Sequence, residues 1–199
     1  MQLEEAPSSY LGGRVVHVGD HRLDIDRFRH WALGNLVGNT SRGIFAERLV
    51  GQALEVIGEG ETREEWDECD LRYEGTKVEV KTSGLDQSWH QDQRSPPRFD
   101  IKRRTWIWDP QTGVSTPHDP PIRPADVYVL CLHEPIPATN DNVRDPGAWK
   151  FWVVSKRTLE YQLGPQKSVG RSTLSQLAAP VGWSEIKTEV DWCLEEVSN

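Results

Sequence analysis

The chain has few cysteines, no long apolar run and no excess of positive charge, and each shortage removes a class of protein. Cys69, Cys131 and Cys193 are scattered, without the paired spacing of a disulfide framework or a cysteine zinc site. No HExxH segment supplies the histidine pair of a zinc hydrolase. No Gly-rich phosphate loop or GxGxxG fingerprint supports a phosphotransferase. No stretch approaches the apolar length that a bilayer span needs, and the opening residues, MQLEEAPSSY, lack the basic region and apolar core of a signal peptide. No membrane partner and a cytoplasmic location are therefore expected. The net charge of −8 counts against a polyanionic partner, because phosphate binding is driven by Lys and Arg displacing counterions. It does not exclude one: a metal site gathers acids by necessity, and a local basic strip matters more than the sum.

What is present fits an α/β domain. A hydrophobic fraction of 36% over 199 residues, with nine tryptophans, is enough to build a core. No repeat, low-complexity tract or linker divides the chain, so one domain over 1–199 is expected: a lead-in at 1–38, a core at 40–155 and a C-terminal helical extension at 156–199. In the lead-in, the alternation of RVVHVGDHRLDI reads as one or two strands, and DRFRHWALGNLVGN as a short helix with Phe28, Trp31, Ala32 and Leu36 in a packed stripe. The clearest helix is 40–56, with Thr40 or Ser41 as N-cap and Gly58 beyond its end. Ile44, Leu49, Ala53 and Leu54 give it an apolar face, and Glu47 stands at the margin, where a carboxylate needs a partner. Strands are expected near 99–107, 126–133 and 149–155, with a proline-rich loop at 109–126 bordering the cleft. A final helix at 185–196 turns Ile186, Val190, Cys193 and Leu194 toward the sheet.

The chemistry concentrates in residues 70–81, DLRYEGTKVEVK. Leu71, Tyr73 and Val78, Val80 flank the turn signal Glu74-Gly75-Thr76-Lys77, which predicts a β-hairpin. Side chains two apart on a strand share a face, so Glu79 and Lys81 point one way and Val78 and Val80 the other. Antiparallel pairing brings Asp70 alongside the far end of the second strand. Two acids and a lysine at one point suit metal-assisted hydrolysis of a phosphodiester. Asp70 and Glu79 would ligate Mg2+ with the carbonyl of Val80, while Lys81 orients the attacking water and offsets developing charge. The same alternation also suits a solvated strand face with an ordinary ion pair. Trp66 is expected at the hairpin's edge, and Thr82-Ser83-Gly84 is expected to break the second strand.

With these parts the chain resembles the PD-(D/E)xK, or restriction-endonuclease-like, superfamily. The matching residues are Glu47 in RGIFAERLVGQAL, Asp70 in WDECD, Glu79 and Lys81 in VEVKTSG, and Gln87 in DQSW. More narrowly, VEVKTSGLDQSWHQ followed by SPPRFDI and a Trp is similar to uncharacterised bacterial restriction-endonuclease-like proteins. The likeness covers 40–155, with Cys69 where the family has proline before its first Asp. It implies a restriction-endonuclease-like fold, a central mixed β-sheet flanked by α-helices, with a helix across the site after Lys81. It also implies an Mg2+-dependent endodeoxyribonuclease, with Mn2+ able to substitute, acting in restriction or defence. Glu47 and Gln87 would support the catalytic residues Asp70, Glu79 and Lys81. Ser83, Gln91, Lys102, Arg103 and Arg104 are the candidates for contact with nucleic acid, and cutting both strands of DNA would call for a homodimer. The alternative is a catalytically inactive or partner-dependent nucleic-acid-binding member of the same fold.

Overall fold

Val127–His133 is buried at all seven positions, as a near-continuous apolar run must be on a strand covered on both faces. In the computed structural model, which describes residues 15–18, 21–65, 67–94 and 96–198, this strand (β8) sits inside a four-stranded mixed sheet. The spatial order is β3 (Leu71–Tyr73), β4 (Thr76–Gly84), β8, β9 (Trp149–Ser155). β4 runs antiparallel to β3 and parallel to β8, and β9 returns antiparallel. Trp66, expected at the hairpin's edge, lies outside the described residues.

Helices flank both faces. On one, α2 (Asn39–Ala53) and α6 (Ile186–Ser198) close over the sheet, packing Ala46, Leu49, Val50, Ile186 and Val190 against Val78, Val80, Val129 and Phe151. On the other, α4 (Lys156–Leu163) and α5 (Arg171–Leu177) set Leu159, Leu163 and Leu174 against Leu130, Leu132, Trp152 and Val154. α3 (Asn140–Arg144) lies in the connection from β8 to β9. β1 (Val15–Val18) and β2 (His21–Asp24) form an antiparallel pair leading into α1 (Ile25–Leu33).

Several expectations are corrected. β4 continues through Thr82-Ser83-Gly84, because its parallel ladder with β8 extends to Gly84 opposite His133. No helix follows it among the described residues of 85–97; the parallel crossover is made of strands. The 99–107 segment stays out of the central sheet. It divides into β5 (Arg98–Asp100), paired with β10 (Ser168–Gly170), and β6 (Arg104–Asp109), paired with β7 (Val114–Ile122). β7 occupies the expected loop despite Pro117, Pro120 and Pro121. A two-stranded ribbon tolerates residues without an N–H, and the register shifts between Arg104 and Trp106. α2 starts at Asn39 behind Gly38, with no side-chain cap from Thr40 or Ser41. α1 buries no residue: Phe28 and Trp31 are exposed, so no packed stripe forms. No helix among the described residues is long and apolar enough to cross a membrane.

Candidate functional site

The β3–β4 hairpin positions the acids. Glu74 (φ 48°) and Gly75 (φ 79°) both turn left-handed, which matches the twist of a two-residue hairpin and fixes Leu71 opposite Val78. Asp70 is thereby set beside the next rungs, where its Oδ2 accepts a hydrogen bond from the Val80 amide at 2.7 Å. Val78 and Val80 enter the closed layer, and Glu79 and Lys81 take the opposite face. Lys81 Nζ lies 2.5 Å from Glu79 Oε1 and 4.0 Å from Asp70 Oδ2. Arg104 Nη2, from the start of β6, donates to the same Glu79 Oε1 at 2.9 Å. Glu79 Oε2 is buried and has no hydrogen-bond partner.

The electrostatics follow from burial among like charges. The Asp70 carboxyl is pushed up to about 6 by desolvation, then by the charge of Glu79, with Lys81 and the Val80 amide pulling the other way and Glu47 adding to the rise. Tyr128, in register with Glu79 on β8, has its phenol raised by burial and by that carboxylate. Burial also pushes the Cys69 thiol up to about 11, so it holds little thiolate at neutral pH. All three cysteines are free and buried.

Two clefts flank the acids. One, of about 180 Å³, is lined by Glu79, Lys81, Asp100, Arg104 and Tyr128. The other, of about 320 Å³, is lined by Glu47, Arg63, Asp70 and Arg72. Glu47 thus reaches the Asp70 side from α2, held by Arg63, whose Nε and Nη2 both donate to it, the latter at 3.1 Å. Gln87 engages elsewhere: its Oε1 accepts from Arg42 Nη2 at 2.9 Å and its Nε2 donates to Gly84 O at 3.2 Å. Arg42 is buried, held also by Asn39 Oδ1 and Asp86 O. Its guanidinium lies so close to Gly84 that a Cβ there would stand 2.5 Å from Nη1.

The basic candidates carry acidic partners: Lys102 pairs with Asp100, Arg103 with Glu160 and Arg104 with Glu79. Ser83 lies on β4 two residues beyond Lys81, and Gln91 in the following loop, its Oε1 buried without a hydrogen-bond partner. His90 is exposed beside Asp92, and Trp89 is half-exposed.

Two residues and one pairing escaped the sequence reading. Arg42 stands four, seven and eight residues before Ala46, Leu49 and Val50, on the buried stripe of α2, and that spacing is its signal. Arg63 is the lone cation in the acidic run 59–69, which marks it as a counter-charge. The ion pair of Arg104 with Glu79 has no local signal, because 25 residues separate the partners.

Among the described residues no three or more His, Cys, Asp and Glu side chains form a ready metal cage. Asp70 and Glu79 nevertheless fit a hard divalent ion: two carboxylates, one with an orphaned buried oxygen, where such ions take one or two protein carboxylates and complete their shell with water and phosphate. No protein-family model, curated protein or solved structure matches this chain.

Proposed function

We propose that the protein is a metal-dependent nuclease with a restriction-endonuclease-like fold, an endodeoxyribonuclease that hydrolyses DNA phosphodiester bonds in restriction or defence. The observation that carries this reading is the buried, unpartnered Glu79 Oε2 beside Asp70 and Lys81, since an orphaned carboxylate oxygen costs stability unless it has a ligand to hold. Asp70 and Glu79, with the carbonyl of Val80, would hold Mg2+ or Mn2+. When bound, such an ion polarises the phosphoryl oxygens and acidifies water. Lys81 orients the attacking water and takes up negative charge as it develops. Arg104, half out of Glu79's burial, is placed to meet a phosphate. Glu47 and its partner Arg63 border the approach, and Gln87 acts at a remove, through Arg42. DNA is the partner, a second copy of the chain would serve the second strand, and the cytoplasm is the expected compartment.

One observation favours a second reading, a nucleic-acid-binding member of the fold that does not cut alone. Lys81 and Arg104 both sit on Glu79 Oε1, and Arg63 occupies Glu47, which are the contacts of a self-neutralised acidic cluster. Supercoiled plasmid and linear DNA incubated with Mg2+, Mn2+ or EDTA separate the two. The nuclease reading expects cleavage that needs the metal and falls by about 10³-fold or more in both Glu79→Ala and Lys81→Ala. Wild type as inert as the variants on DNA and RNA would favour the binding reading.

A further inference from the structure

Arg104 reaches the acids from the start of a ribbon that has little else to hold it. β6 and β7 pair only with each other, and a lone two-stranded ribbon is marginally stable in water. Its base is firm. Arg103, just before β6, and Arg123, just after β7, both pair with Glu160 of α4, and the buried Arg123 also donates to the carbonyls of Ile101, Gly164 and Gln166. Beyond that base, among the described residues, one hydrogen-bonded ion pair joins the ribbon to the rest of the protein: Arg104 on Glu79. Ile107, Thr116 and His118 line a cavity of about 620 Å³ together with Arg72 and Lys77 of β3 and β4, so the ribbon borders open space there rather than a packed layer.

Glu79 has one negative charge to share and already holds Lys81 and Arg104 on Oε1. A divalent ion on the unpartnered Oε2 would make three claimants for one carboxylate, and the cation with the fewest other ties is the one to leave. Lys81 is 29% exposed, stands two residues along the same strand and lies also near Asp70. Arg104 is 42% exposed and, among the described residues, has no ion pair with a second acid. We propose that Arg104 couples metal to substrate: it closes Glu79 in the metal-free protein and, when a divalent cation occupies the carboxylates, passes to a phosphate of the DNA backbone and draws the ribbon onto the strand. The coupling rests on the metal site of the reading above. A half-exposed ion pair is weak enough to exchange, and a guanidinium forks onto phosphate as it does onto carboxylate. Such coupling is reciprocal, so metal strengthens DNA binding through Arg104 and DNA strengthens metal binding.

The test compares wild type, Arg104→Ala and Arg104→Lys by hydrogen exchange of the β6 amides, Mn2+ calorimetry and duplex affinity. With Mn2+ and no DNA, the wild-type ribbon should exchange about fivefold faster, whereas an ion that only stiffened the protein would slow it. Arg104→Ala should exchange at the faster rate with or without Mn2+, and should bind Mn2+ at least about threefold more tightly because a competing cation is gone. Arg104→Lys keeps the charge and should follow wild type. Duplex affinity is read by anisotropy of a fluorescein-labelled duplex in a Lys81→Ala background, which the reading above makes unable to cut. There Arg104→Ala should cost less than about twofold in EDTA and about tenfold in Mn2+. An equal cost in both, or Mn2+ that binds wild type and leaves the ribbon's exchange unchanged or slower, overturns the coupling while the metal site stands. No Mn2+ binding by wild type removes the metal site, and the coupling falls with it.

Discussion

Adjacent residues on the two faces of β4 can be equally dry and chemically opposite. Val80 is 5% exposed and Glu79 beside it 3%, yet Val80 enters a layer closed by α2 and α6, while Glu79 lies beneath Lys81 and Arg104. The apolar face draws its stability from burial, at about 25 cal/mol per Å² of apolar surface. The polar face works against stability, because a desolvated carboxylate repays its cost only through its partners, and one oxygen of Glu79 has none. Alternate residues of one strand thus divide the work: one set makes the fold, and the other is held in place by it.

The largest expected effect comes from carrying the chemistry of the polar face to the apolar one. Val78→Asp places a carboxylate at a fully buried position inside the apolar layer, and should cost more than about 4 kcal/mol, read as a lost or strongly lowered urea midpoint. The reverse exchange should have the opposite sign. Glu79→Leu with Lys81→Met replaces an ion pair between a buried acid and a partly exposed lysine by apolar groups of similar volume, and should leave stability unchanged or raise it by about 1–4 kcal/mol while cleavage disappears. A midpoint that falls as far as that of Val78→Asp would erase the distinction between the faces.

The smallest effect sharpens the comparison through pH. In metal-free protein the Asp70 carboxyl sits at about 6, above its ordinary 3.8, so between those values the folded state binds more protons than the unfolded. This contribution is fully present below about 4 and is lost as pH rises through about 6. Asp70→Asn should flatten the slope of melting temperature over that window. An equal slope in the variant would assign it to other groups.

The hairpin and its acids were legible because their signals are local: the alternation about Glu74-Gly75 fixes which residues share a face, and the turn fixes the register. The apolar runs of β8 and β9 and the α6 stripe were legible for the same reason. What escaped depends on distance along the chain. Three-residue β5 finds its partner β10 some 70 positions away, with Phe99 and Val169 buried between them, and no local pattern announces such a pair. The prolines of β7 read as a loop because the sequence does not reveal that its strand has one neighbour. Gln87 was assigned to the acids by resemblance, but Arg42, on the buried stripe of α2, draws it to Gly84.

The most direct measurement of the central claim is calorimetric titration of Mn2+ into the metal-free protein above pH 7, beside Asp70→Asn and Glu79→Gln. Wild type should bind saturably and each variant at least tenfold more weakly, with all three proteins equally folded. Binding that both variants match, or no binding by any of them, would contradict a metal site on this face of β4.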